Sequence, residues 1–219
     1  MILTSIYIVM IALAFTASRF AAHRTGLPQH LNVFSFLLGV TFLVECFAAY
    51  AVRAFHLHTN VPAYNIFMLL EFWIYAWYYR MIITARWMKK MITGFMWFFP
   101  VFWVIVVFVV FGLQKWNSYL VIAGSVFTIC CSFVYYYQLF TNSEDISLKT
   151  CPEFWIATGM IIFYTCNLPY IGMLNFLIKN YMSLAKTFLV ILKILNILMY
   201  SSFTYAFLCR MLTKKLSSS

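Results

Sequence analysis

A chain of 219 residues with 65% hydrophobic side chains and only 9% charged ones excludes a water-soluble domain, which would be nearer a quarter charged. No soluble fold of this length hides that much apolar surface. The formal net charge of +10 is not a nucleic-acid signature, because the cations sit in short connections and at the ends of apolar runs, as in a membrane protein.

Seven apolar runs of roughly 20 residues or more, long enough to span the hydrocarbon core, are read near Ile2–Phe20, Leu31–Phe55, Pro62–Ile83, Met91–Phe111, Ser118–Phe140, Phe154–Leu177 and Leu184–Arg210. They are too long and continuous for barrel strands. The expected fold is all-α: one integral-membrane seven-transmembrane-helix bundle forming a single domain over residues 1–219.

The first run has no basic residue before it, and Arg19 follows it, which suits an uncleaved helix with its N-terminus outside. The second run carries Glu45 inside TFLVECFAAY. In the connection that follows, His56 and His58 read as a polar loop rather than a metal site, since no third ligand joins them. The third run aligns Tyr64, Glu71, Tyr75 and Tyr78 on one helical face. A basic connection, Arg80 through Lys90, comes next.

The fourth run is almost free of polar atoms and is expected to be the most lipid-exposed, with a kink at Pro100. The fifth places Ser118, Ser125, Thr128, Ser132 and Tyr135 on one face, while Cys130 and Cys131 point in different directions and read as packing residues. The sixth brings Asn167 just ahead of Pro169. The seventh carries Lys193 well inside its apolar run, with Lys186, Asn196, Tyr200 and Thr204 on the same face. Trp77, Tyr78, Tyr79, Trp87 and Tyr135–Tyr137 are expected to form an aromatic belt at the cytoplasmic boundary.

About ten Lys and Arg fall on one side of this arrangement and about four on the other, placing the C-terminus in the cytoplasm. No cysteine lies in an outer connection, so no disulfide framework is implied. Counting helix rise, Glu45, Glu71, Lys193, Asn167 and Thr128 each lie roughly 12–15 Å below the outer boundary. Five runs thus present polar groups at one level. Intramembrane ionisable groups are expensive and are functional candidates by default. Glu45, Glu71, Lys193, Asn167, Thr128, Asn196, Tyr64 and Tyr75 are therefore the candidate ligand or proton site. Lys193 is expected to pair with Glu71, leaving Glu45 as the protonatable member. Two readings stay open: an ion pair that only pins the bundle, or a functional site.

No phosphate loop, zinc motif or nucleophile elbow is present, so no catalytic residue, metal or cofactor is expected, and enzyme activity is left undecided. Arg86, Lys89 and Lys90 are read as attracting anionic lipid or as docking an acidic cytoplasmic partner.

The stretches YNIFMLLEFWIYAWYYR and CPEFWIATGMIIFYTCNLPYIG carry two motifs. One is Tyr64-Asn65-Ile66-Phe67 leading to Glu71-Phe72, and the other is Pro152-x-Phe154-Trp155-Ile156 leading to Gly159 and Pro169. They resemble an uncharacterised family of small bacterial seven-transmembrane-helix proteins, the likeness covering most of the third and sixth runs. The resemblance implies a stand-alone bundle in the bacterial inner membrane, in some cases beside a histidine kinase that lacks a sensor domain. The expected function is a receptor-like or sensory membrane protein that signals to a cytoplasmic histidine-kinase-like partner, with the lipid bilayer as its solvent. A homo-oligomer is left open, and nucleic acid is not an expected partner. The alternative is a small-solute or proton-coupled transporter of 3+1+3 helix arrangement, for which Pro28-Gln29 and Pro152-Glu153 are the only paired signals. A retinal protein using Lys193 and a membrane lipid hydrolase rank lower, because the retinal pocket pattern and the extra polar residues are missing.

Overall fold

The computed structural model describes residues 2–54, 59–142 and 148–217. His56 and His58 lie outside them, and the side chain of Arg53 is likewise not described. No strand occurs among the described residues. The chain forms α1 (Ile2–Thr25), α2 (Gln29–Ala54), α3 (Val61–Ile82), α4 (Arg86–Val104), α5 (Ser118–Asn142), α6 (Pro152–Asn180) and α7 (Met182–Ser217).

Six helices are long and apolar enough to cross a membrane: α1, α2, α4 with its extension, α5, α6 and α7. The 22 residues of α3 are long enough, but Asn65, Glu71 and four tyrosines lower its mean hydropathy below that of the others.

Several boundaries differ from expectation. Only Ile83, Thr84 and Ala85 separate α3 from α4, so most of the expected basic loop is helix. Arg, Met and Lys are good helix formers, and Arg86-Trp87-Met88-Lys89-Lys90 continues into the apolar run without a breaker. At its other end α4 passes through Pro100 and then widens into a π-helix, Ile105–Phe111, which Gly112 stops at φ 83°. A left-handed residue there is readily adopted only by glycine. Between α6 and α7 there is a single connecting residue, Tyr181, whose N–H still bonds to Leu177 O.

The chain divides into two compact units, Met1–Leu27 with Ser125–Ser219, and Pro28–Gly124. In the first unit α7 packs against both α1 and α6. The contacting face of α1 is Ile11, Ala14, Ser18, Ala21 and Thr25, all buried at alternating steps of three and four. Small residues there let helix backbones approach closely. Gly159 does the same for α6. A Cβ added to it would meet Phe203 and Ser202 side chains at 3.2 Å and Met199 O at 3.3 Å. Ser202 Oγ seals that contact by donating to Trp155 O at 2.6 Å.

The fourth run is widely exposed, with Trp97, Phe98, Val101, Phe108 and Val109 open. The first half of α7 is open as well, at Leu184, Leu189, Val190, Ile191 and Ile194. With 36 residues, α7 outruns the 24 of α1 and the 29 of α6 that pack on it.

In the second unit α3 is flanked by α2 and α4. Its face against them holds Phe72, Tyr75, Tyr78 and Tyr79, with Phe34 from α2 lying 5.3 Å from the Tyr78 ring and Phe99 from α4 lying 5.6 Å from Phe72. The expected aromatic belt is thereby corrected in part. Tyr78 and Tyr79 have no exposed surface and Tyr135 almost none, so these three are core; Trp87 and Tyr137 are exposed as a belt requires. A tyrosine satisfies either place, and sequence spacing alone does not separate them.

Replacing Gly159 by Leu is expected to force α6 and α7 apart and destabilise the first unit by about 1–3 kcal/mol, the usual range for overpacking. Gly94→Ala, where no atom lies within 4 Å of the added Cβ, is the control. Thermal unfolding in detergent measures both, and equal melting temperatures would refute the close-packing account.

Candidate functional site

The sequence-expected residues fall into both units. In the second, the α2 carboxylate of Glu45 accepts a hydrogen bond from Tyr64 Oη on α3 at 3.0 Å. Both side chains are half-buried. The Tyr64 ring meets the Trp116 ring edge-on, with centroids 6.3 Å apart and planes at 70°. About two turns further along α3, Glu71 accepts from Tyr75 Oη at 3.1 Å. Tyr75 is four residues from Glu71, so that bond lies within one helix, whereas the Glu45 bond ties two helices together.

Next to Tyr64 on α3 is Asn65, with no exposed surface. Its amide nitrogen donates to Leu113 O at 2.7 Å and to Lys115 O at 2.9 Å. Its backbone carbonyl accepts from the Trp103 indole at 2.7 Å. One side chain on α3 therefore holds the turn that follows the π-helix, and its backbone holds α4. Such carbonyls have no strand or helix partner of their own, and a buried amide is well suited to take two at once. Asn65 Oδ1, both polar atoms of the Asn117 side chain and Ser118 Oγ are buried with no hydrogen-bond partner among the described residues.

In the first unit, Lys193 on α7 is half-buried and donates to Thr4 Oγ1 on α1 at 2.8 Å. Its partner there is a neutral hydroxyl, where the sequence points to a carboxylate. Asn196 donates to Leu192 O of its own helix at 3.1 Å. Thr128 and Asn167 are buried, Thr128 O accepting from Ser132 Oγ and Asn167 Oδ1 having no partner among the described residues. All five residues of the expected α5 stripe are buried. Along the α7 stripe burial is graded instead, from exposed Lys186 to buried Tyr200.

At the other end of this unit a 3₁₀ turn, Leu148–Thr150, precedes α6. Its Lys149 carbonyl accepts from Trp155 Nε1 at 3.2 Å and from Cys209 Sγ at 3.1 Å. Beside it Cys151 lies 3.5 Å from Tyr135 Oη and donates to Glu153 at 3.4 Å. Burial pushes the Cys151 thiol up, the Tyr135 hydroxyl opposes this, and the Glu153 carboxylate adds to it, so the group stays a thiol at neutral pH.

Arg86 and Lys90 are exposed and Lys89 half-buried, on the first turns of α4. Among the described residues no group of three or more His, Cys, Asp or Glu could hold a metal ion. Sequence reasoning gave Asn65 a place only in the Tyr64-Asn65-Ile66-Phe67 motif, not in the site, and passed over Trp103, Trp116 and Thr4. Asn65 and Thr4 carried the signal used elsewhere, a polar residue inside an apolar run, but without charge they drew less weight. Trp116 lies in a turn, where an aromatic has no periodic pattern to mark it.

Asn65→Leu keeps the branching and number of side-chain heavy atoms and strips two carbonyls of their donor. It is expected to destabilise the second unit by about 1–3 kcal/mol, the range for buried groups left without a hydrogen bond. Chemical unfolding followed by tryptophan fluorescence measures this, and a midpoint unchanged from the parent would refute the latch. Compared with protein-family models, curated proteins and solved structures, the chain matches none of them.

Proposed function

We propose that the chain is a receptor-like, multi-pass protein of the bacterial inner membrane with seven spans. Its N-terminus is outside, its C-terminus cytoplasmic, and it signals to a cytoplasmic histidine-kinase-like partner. The observation that carries this reading is the set of ionisable side chains within long apolar helices, each engaged by a hydroxyl: Glu45 with Tyr64, Glu71 with Tyr75 and Lys193 with Thr4. Groups so costly to immerse in lipid, each engaged by a hydroxyl, are suited to respond to a ligand or a proton. The likeness of the third and sixth runs to small bacterial seven-helix proteins supports the sensory role.

α3 is the seventh span in this reading. Its polar content is tolerated because the polar side chains are engaged within the protein, as Tyr64, Asn65 and Tyr75 are. Arg86, Lys89 and Lys90, at the start of α4, serve as the docking surface for the acidic partner. The transporter reading gains nothing from the helix grouping: α1 falls in one unit with α6 and α7, and α2 and α3 fall in the other, whereas a 3+1+3 arrangement would group the first three.

Seven spans put the termini on opposite sides, and six put them on the same side. A reporter fused after Ser219 is expected to be active in the cytoplasm, and a cysteine replacing the exposed Gln114 to be labelled from outside. Labelling at 114 only from the cytoplasmic face would overturn the topology. For the function, the chain is purified with its native partners and assayed for kinase autophosphorylation. Activity is expected with the parent and is expected to be lost on changing Arg86, Lys89 and Lys90 together to Gln, with helicity intact. Absence of kinase activity, or solute uptake by proteoliposomes, would overturn it.

A further inference from the structure

Lys193 on α7 and Thr4 on α1 belong to one compact unit, and Lys193 Nζ donates to Thr4 Oγ1 at 2.8 Å. We propose that the pair binds an oxyanion carried on an acyl chain. An ammonium has three N–H donors and no acceptor, and Thr4 Oγ1 takes one of the three. Among the described residues Lys193 has no further hydrogen bond and no ion pair. Thr4 accepts in this contact, which leaves its own O–H to give. Thr25 and Thr204 spend that proton on the carbonyl four residues back, but Thr4 has no such acceptor among the described residues. Two N–H groups and one O–H therefore lie side by side with nothing described to receive them. Both side chains are half-buried, so each keeps surface that a ligand can reach. Such a set of donors is matched by the oxygens of a carboxylate or a phosphate, the ammonium making the charge-assisted bond.

The balance of charge points the same way. The acids of this unit are Glu144, Asp145 and Glu153. The first two lie outside the described residues. Glu153 is in the first turn of α6, where Cys151 donates to it. Two residues on, Trp155 O accepts from Ser202, which is nine residues or about 14 Å along α7 from Lys193. That carboxylate is therefore at the other end of the helix pair. Lys186, seven residues before Lys193, is exposed and adds a second cation on the same helical face. The anion has to bring an apolar part of its own. α7 is apolar on both sides of Lys193, with Leu189, Val190, Ile194 and Leu198 exposed. A hydrophilic anion would give up its water to reach an ammonium in that setting, whereas an acyl chain is at home there. The inference deepens the receptor reading by naming a ligand class for one of its ionisable groups, and rests on it only for what the bound anion does.

The full chain, purified in uncharged maltoside micelles, is titrated separately with radiolabelled oleate and radiolabelled dioleoylphosphatidylglycerol by scintillation proximity. Saturable binding is expected. Saturation by oleate alone assigns the anion to a free fatty acid, by phosphatidylglycerol alone to a phospholipid headgroup, and by both to either source, each within the proposal. Lys193→Met is expected to weaken binding about tenfold or more, as loss of a charge-assisted hydrogen bond would. Thr4→Val is expected to weaken it about 2- to 10-fold, the span for a neutral one. Methyl oleate, which has the chain without the charge, is expected not to compete. Circular dichroism checks the fold of each variant, and if Lys193→Met does not fold, Thr4→Val decides. No saturable binding of either probe, unchanged affinity in the folded variants, or competition by methyl oleate equal to that by oleate overturns the proposal. Kinase activity in the parent without such binding would sink the ligand class alone. Binding that depends on Lys193 but leaves autophosphorylation unchanged would sink the receptor reading alone.

Discussion

A chain this apolar has one safe place for its backbone polar groups, inside its own helices. Hydrocarbon offers no hydrogen bonds, so every exposed N–H or C=O there carries a cost of several kcal/mol. The structure obeys this to the limit of its connections, with three residues between α3 and α4 and one between α6 and α7. The same constraint governs the hydroxyls. Thr25, Thr41, Thr93, Ser132, Thr158, Ser201 and Thr204 all donate to the carbonyl four residues back in their own helix. A hydroxyl so engaged is satisfied without a neighbour. Much of what reads in the sequence as a polar stripe is therefore silent.

The bonds that cross between segments include Tyr64 to Glu45, Asn65 to the 112–117 turn, Trp103 to Asn65, Lys193 to Thr4, Ser202 to Trp155, Cys209 to Lys149, and Tyr136 with Thr158. In a setting where lipid and leucine are equally apolar, packing and such bonds decide which helices associate. Two of the expected site residues, Glu45 and Tyr64, meet each other across a helix pair. Two more, Glu71 and Tyr75, meet within one helix.

The helices themselves were legible from run length and hydropathy, to within a few residues at most ends. The start of α4 was misjudged because charge was taken to mean loop, although Arg86, Lys89 and Lys90 are compatible with helix. The π-helix at Ile105–Phe111 left no trace in the pattern, since a run of Val, Ile and Phe is apolar in every register. Burial was legible for the α5 stripe and misleading for Tyr78 and Tyr79. An aromatic with a polar tip satisfies an interface as well as a core, so identity alone does not choose. The partner of Lys193 was not legible, because charge drew attention to the rare acids and away from a threonine in the first apolar run.

The Lys193–Thr4 bond joins residues 189 apart in sequence. Helices leave the ribosome in order, so α1 enters the bilayer long before α7 exists to receive its face of Ile11, Ala14, Ser18 and Ala21. For most of synthesis that face has to be screened by lipid or by an insertion factor. α6 and α7 follow a different course: joined by one residue, they pair as soon as both have emerged. Assembly of the first unit thus ends with an early helix captured by a late hairpin. A ribosome that stalls before α7 leaves α1 without its native seat, a distinction by which a membrane protease could tell finished chains from interrupted ones.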